Sequence, residues 1–199
     1  AEAYISGLEQ FGARGGDISR MASVASFFIS RIDSAVDTLL DARLRASKDA
    51  REQEQLKSVL GKVAIANGKQ TYQKYQAIFG TERWKALAAR GGQTQRVLWA
   101  STSTKNPAYR DVLYVEEMIG ADTVDTIPPA TFDAFRDHGK ARPSLTEDVA
   151  SAQLTMETVD KLGISMKEVT DKLTDDGVRL FAEAFDKLLA AVEKSSKSK

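Results

Sequence analysis

The chain has no cysteine and a single histidine in 199 residues. Without cysteine there is no disulfide framework, no thiolate nucleophile and no Cys/His zinc cluster. A Ser-His-Asp triad would have to use His138. That residue sits in Arg136-Asp137-His138-Gly139, which reads as a helix end: a His in the last turn, then a glycine. Charge of one sign is missing too, because 28 Lys+Arg balance 28 Asp+Glu. The balance removes the electrostatic case for nucleic acid or an anionic membrane as partner. No apolar run approaches the roughly 20 residues of a membrane-spanning helix. The opening Ala1-Glu2-Ala3-Tyr4-Ile5 has neither the basic start nor the apolar core of a signal peptide. A cytoplasmic protein is therefore expected. The phosphate loops G-x-x-x-x-G-K-[ST] and G-x-G-x-x-G are also absent. Chemistry here must come from Lys, Arg, carboxylates, hydroxyls and backbone amides.

Two stretches stand out among what is present. In Met21-Ala22-Ser23-Val24-Ala25-Ser26-Phe27-Phe28-Ile29-Ser30-Arg31-Ile32-Asp33 a short run is apolar on both faces. That suits a strand of a parallel sheet covered on both sides. Arg31 falls at its C-terminal end, where it either pairs with Asp33 or meets a ligand. In Arg96-Val97-Leu98-Trp99-Ala100-Ser101-Thr102-Ser103-Thr104-Lys105-Asn106-Pro107 an apolar run empties into hydroxyls, a Lys and an Asn-Pro pair. Asn106 suits an N-cap and Pro107 the first helical position. A buried strand leading through polar residues to a helix N-terminus is a common way to build a phosphate site.

The rest reads mostly as helix. Residues 1–12 form one, with Ala3, Ile5, Leu8 and Phe11 as an imperfect apolar face, broken by Gly12, Gly15 and Gly16. From Asp33 to about Gly92 the spacing of Leu56, Leu60, Ala64, Thr71, Tyr75 and Ile78 is helical. Ala64 and Gly68 on that face allow close packing against a sheet, and the charged run Arg45–Lys57 reads as a solvated face. Thr81–Leu87 reads as a short further helix. A helix from Pro107 to about Ile119 turns Val112, Val115 and Ile119 inward and ends at Gly120. Thr123–Ile127 reads as a strand stopped by Pro128 and Pro129. The next helix, opened by Pro129, turns Phe132 and Phe135 inward and ends at Gly139. Ser144-x-x-Glu147 and Ser165-x-x-Glu168 fit the capping box, and Ile164 with Val169 the hydrophobic staple. Val178, Phe181, Phe185, Leu188 and Val192 form a stripe read as core packing. The chain is read as one domain over 1–199, with about 190–199 as a disordered tail.

Strand–helix alternation implies a parallel sheet with right-handed crossovers. Three strands are too few to close a barrel of about eight, and their edges need cover. With the uncapped, Met-less start, the pattern predicts the C-terminal part of a longer (β/α)8 barrel, strands six to eight, with extra C-terminal helices. In such a barrel the site lies at the C-terminal strand ends. Here those ends carry Ser26, Phe28, Ser30 and Arg31, then Ser101, Ser103 and Lys105, then Asp125 and Thr126. A Lys in a first helical turn opposes the helix dipole, so an anion beside Lys105 would relieve a cost. No acid/base pair of carboxylates stands out, and no metal site does.

Ser23–Asp33 resembles the sixth-strand motif of transaldolases, and Leu98–Pro107 resembles their seventh-strand motif in the longer bacterial form. Tyr114–Gly120 and Thr123–Pro128 continue the similarity into the eighth strand. The resemblance implies an α/β barrel and a Schiff-base mechanism without metal or organic cofactor. A dihydroxyacetone unit would pass from a ketose phosphate to an aldose phosphate in the pentose phosphate pathway. By position it implies that Ser26 and Phe28 line the active site and that Arg31 and Ser101 bind the substrate phosphate. Many family members carry an Arg two residues after the Ser matched by Ser101; Ser103 stands there, and Lys105 is expected to substitute. The family's Schiff-base Lys and its acidic residues lie on earlier strands that nothing in this chain matches. The chain alone is expected to hold half a phosphate site and no catalyst. Its expected partners are sugar phosphates and either the missing N-terminal half of the barrel or a second copy. Two other readings stay open: a non-catalytic helical interaction module whose strand-like runs are interior helix, and another class I phosphosugar aldolase.

Overall fold

The computed structural model describes residues 1–197. A helix, α1 (Glu2–Ala13), precedes the first strand, β1 (Val24–Phe28). Four helices follow: α2 (Ser30–Ala46), α3 (Ala50–Val59), α4 (Val63–Phe79) and α5 (Glu82–Ala88). Strand β2 (Arg96–Ala100) leads through turns to the short α6 (Leu113–Glu117), then to β3 (Thr123–Asp125). Helices α7 (Pro129–His138), α8 (Val149–Lys161) and α9 (Met166–Lys197) complete the chain. Among the described residues the three strands make one sheet in the order β1-β2-β3. Both pairings are parallel, with Ser26 beside Leu98 and Phe28 beside Ala100, and Leu98 beside Val124. All three strand-like runs are therefore strands, which removes the all-helical reading.

Short polar side chains cap several helices. Asp49 accepts from the Arg51 and Glu52 amides at the head of α3, and Thr81 from the Trp84 amide at the head of α5. Ser165 Oγ accepts from the Glu168 amide at 3.2 Å. Ile164 and Val169 are both buried across that turn, as a staple requires. The core lies on one face of the sheet. Trp99 is fully buried and meets Phe27 edge to face, with ring centres 5.8 Å apart. Helices α2, α4 and α8 bring Val36, Leu40, Val63, Ala64, Tyr72 and Val159 against them. Gly68 serves close approach: a Cβ there would lie 2.7 Å from Met118 Sδ.

Several expectations fail for physical reasons. The sheet is covered on one face only. Phe28 and Leu98, on the less covered side, are half-buried, and at the edge strand Val24, Ala25 and Ser26 are all exposed. No helix runs from Pro107 to Ile119. Asn106 Oδ1 accepts from the Ala108 amide and its carbonyl from the Tyr109 amide, closing a turn. The ion pair of Arg110 with Glu116 and the bond of Tyr109 to Asp37 hold that turn against helix propagation. Ser144 forms no capping box. Its hydroxyl accepts from the Ile119 amide, and α8 starts later, after Asp148 at φ 52. Phe132 is exposed, beneath the Arg136 guanidinium, while Thr131 is the buried residue of α7. Phe11 is likewise exposed, against Gly16. Gly139 ends α7 in an extended conformation, φ −71, not a left-handed one.

The largest difference is α9. Val178, Phe181, Phe185, Leu188 and Val192 are 58–69% exposed, so the stripe is largely uncovered among the described residues, its first members Val178 and Phe181 bordering a cleft beside β1. Only its start is docked: Val169 is buried, and Met166 and Leu173 pack on the core. The segment from about residue 190, expected to be disordered, is helical as far as Lys197. The rest of that expectation, Ser198 and Lys199, lies outside the described residues.

Candidate functional site

The C-terminal ends of the three strands are stitched to one another. The Ile29 amide donates to the Ala100 carbonyl at 2.9 Å and the Ser30 amide to the Ser101 carbonyl at 3.1 Å. The Ser30 and Ser101 hydroxyls lie 2.8 Å apart. Thr102 Oγ1 donates to Asp125 Oδ1 at 2.9 Å, and the Thr126 amide to the Trp99 carbonyl at 3.0 Å. Ser101 holds φ 59, a left-handed conformation that costs a side-chain-bearing residue on the order of 1–2 kcal/mol. Such strain persists where surrounding bonds over-determine the backbone, and the two contacts with Ser30 do so here. Burial pushes the Asp125 carboxyl up to about 6, against the Thr102 hydroxyl and the Thr126 amide that favour its charged form.

Arg31 sits in the first turn of α2, directly after the strand end. It does not pair with Asp33. The Asp33 carboxylate accepts instead from the Ala64 amide at 2.8 Å and the Tyr114 hydroxyl at 2.7 Å. The Arg31 guanidinium lies 4.5 Å from the Phe28 ring centre, and it has no carboxylate partner among the described residues. It lines a cleft of about 580 Å³ together with Ser26 and Phe28. Asn67 of α4 and Thr174, Gly177 and Phe181 of α9 form other parts of that wall.

Of the six residues singled out by sequence, three therefore share one cleft: Ser26, Phe28 and Arg31. Ser101 is tied to the same strand end through Ser30. Ser103 and Lys105 are brought to each other, Lys105 Nζ donating to Ser103 Oγ at 2.7 Å, but neither lines the Arg31 cleft. Lys105 borders a smaller hollow with Asp33, Asp37, Asp41 and Tyr109. With no helix starting at Asn106, no helix dipole opposes its charge. His138 is an exposed helix-end residue between Asp111 and Asp137, which together hold its pKa above the usual value.

Two groups escaped the sequence reading. Asn67 lines the Arg31 cleft, and nothing in its helical surroundings marks it. Asp33 and Asp37 are buried one turn apart on α2. Asp37 accepts from the Gly61 amide and the Tyr109 hydroxyl, at 3.0 and 2.7 Å. Like charges at that spacing disfavour a helix unless each has donors, and that was the available signal. Desolvation raises Asp33 to about 6, opposed by its bonds to Ala64 and Tyr114. Among the described residues no cluster of three or more His, Asp or Glu could hold a metal ion, and no helix is long and apolar enough to cross a membrane.

A small parallel sheet among many helices, with an unpaired Arg, hydroxyls and a cleft at its strand ends, defines an α/β protein. The comparisons make the family specific: the chain belongs to the transaldolase/fructose-6-phosphate aldolase family, whose model matches residues 1–192. It is 46% identical over 199 residues to a transaldolase of Trichodesmium erythraeum, covering 99% of this chain and 52% of that protein. It is 47% identical over 194 residues to transaldolase 2 of a Nostoc species, covering 96% of this chain and 51% of the relative. To transaldolase 1 of Streptomyces coelicolor it is 43% identical over 199 residues, 100% of this chain and 50% of the relative. The chain thus spans about half the length of the curated relatives it matches.

Proposed function

We propose that this chain carries the substrate-phosphate half of a transaldolase active site. The strand ends would grip the anionic end of a sugar phosphate. Residues outside the 199 would supply the Schiff-base Lys, through which a dihydroxyacetone unit passes from ketose phosphate to aldose phosphate. One observation carries this reading: Arg31 stands without a carboxylate partner over a cleft it shares with Ser26 and Phe28, beside the Ser30–Ser101 junction. An Arg fork binds a phosphate bidentately, and each charge-assisted bond contributes on the order of 1.5–3 kcal/mol. Ser26 and Phe28 would line the substrate, Ser101 would support the phosphate, and Ser103 with Lys105 would approach it only if their loop moved. On this reading the strands are six to eight of a (β/α)8 barrel. The half of the relatives' length that the chain does not span, or a second copy, covers the open sheet face. No metal or organic cofactor enters the reaction, and the setting is the pentose phosphate pathway in the cytoplasm.

Two measurements test this. Fructose 6-phosphate should raise the melting temperature of the unaltered chain, and Arg31→Gln should abolish that shift; an equal shift in both would overturn the role of Arg31. Borohydride with fructose 6-phosphate should trap a covalent adduct on a protein that includes the upstream half and none on this chain alone. Labelling of Lys105 would refute the assignment of the nucleophile to the absent part. The family's description also names fructose-6-phosphate aldolase. Product analysis separates the two: transfer needs an acceptor aldose phosphate, whereas simple cleavage does not.

A further inference from the structure

Gly177 lies inside a helix that runs from Met166 to Lys197. Glycine is the poorest helix former after proline, so its presence there calls for a reason. The backbone supplies none, since Gly177 is not among the positive-φ glycines Gly15, Gly61, Gly91 and Gly163. Close packing supplies none either. A Cβ at Gly68 or Gly120 would lie 2.7 Å from Met118 or Leu145, but a Cβ at Gly177 would meet a single heavy atom within 4 Å. That atom is a guanidinium nitrogen of Arg31, at 3.8 Å.

We propose that Gly177 is a specificity-determining position: its missing side chain keeps open the space beside Arg31 that the anionic end of a sugar phosphate occupies. The inference rests on the phosphate reading of Arg31 given above. The surroundings agree with it. The Phe28 ring backs the guanidinium, so a ligand must reach it from another side, and α9 borders the cleft there. The Thr170 and Thr174 hydroxyls, also on the cleft wall, donate to carbonyls of their own helix at 2.9 Å, which leaves charge recognition to Arg31. The Asn67 side chain makes no hydrogen bond among the described residues, so its amide is free to contact the sugar. The carboxylate next to Gly177, Asp176, is paired with Lys172 and Arg179 at 3.2 and 3.4 Å and is thereby screened from an incoming anion.

The test is a titration of fructose 6-phosphate into the unaltered chain, Gly177→Ala, Gly177→Leu and Arg31→Gln, with the ligand-free melting temperature of each. Both Gly177 variants improve helix propensity, so neither should melt below the unaltered chain. Affinity should nevertheless fall about tenfold for the alanine variant and further for the leucine variant, the scale on which a pocket discriminates a methylene group. A Gly needed only for folding would give the opposite pattern, lower melting with affinity kept. An alanine variant that binds as tightly as the unaltered chain overturns the proposal, even if the leucine variant fails to fold. In that case the phosphate reading stands if Arg31→Gln alone loses binding. If the unaltered chain binds no fructose 6-phosphate, both fall.

Discussion

Asp33 shows how a single buried carboxyl sets a pH dependence. Its two acceptor oxygens are satisfied by Ala64 and Tyr114, yet burial still raises its pKa from 3.8 to about 6. The folded state therefore holds this proton more tightly than the unfolded chain does. Between about pH 4 and pH 6 the unfolded state binds fewer protons, so stability falls as pH rises through that window. Asp125, raised to about 6 by burial, acts in the same direction. Asp33→Asn keeps an acceptor for the Ala64 amide and removes the titration. Its melting temperature, followed from pH 4 to pH 7, should decline less steeply than that of the unaltered chain; an unchanged slope would show that Asp33 does not carry the effect. At this scale the sequence was partly legible. Arg31 was recognisable by its place after an apolar run, but whether it pairs with Asp33 was not. That depended on Ala64 and Tyr114, 31 and 81 residues away, which claim the carboxylate.

Among the elements, α9 and the segment after β2 mark the limit of local pattern. The stripe from Val178 to Val192 has the spacing of a buried helix face, and periodicity alone cannot say what lies opposite it. Every residue from Val178 to Ser196 is exposed, so Phe185→Glu should change the free energy of unfolding by no more than about 0.5 kcal/mol. Leu145→Ala, at a fully buried core position, should cost about 2–5 kcal/mol. Urea unfolding of both variants checks the contrast; a large loss from Phe185→Glu would mean that the stripe is covered in solution. After β2 the Asn-Pro pair signals a helix start that does not occur: Asn106 closes a turn, and Tyr109 and Arg110 are held by Asp37 and Glu116. Those tertiary bonds favour turns over the helix that propensity predicts. At Gly68 of α4 the small residue does record a close approach, but to Met118 after α6 and not to the sheet that the sequence reading named.

The whole molecule is a parallel sheet covered on one face, with a long helix projecting beyond the core. Amide exchange should follow that layout. Val97 and Trp99 on the central strand, buried against α4, should be among the slowest amides. Those of α9 beyond Gly177 should exchange orders of magnitude faster, since a helix of this length without tertiary contacts is marginal. Slow exchange across the whole of α9, measured by hydrogen–deuterium exchange, would contradict the exposed arrangement. The sequence by itself determined the three strands, their parallel arrangement, the starts of α1, α5, α7 and α9, and which residues stand near the strand ends. These are set by apolar period and by caps within a few residues. Only the tertiary structure decided which sheet face is open, that Arg31 is free of Asp33, and that Lys105 and Ser103 stand apart from it. Those outcomes follow from competition among distant hydrogen-bond partners and from what lies opposite an apolar face, neither of which a local pattern contains.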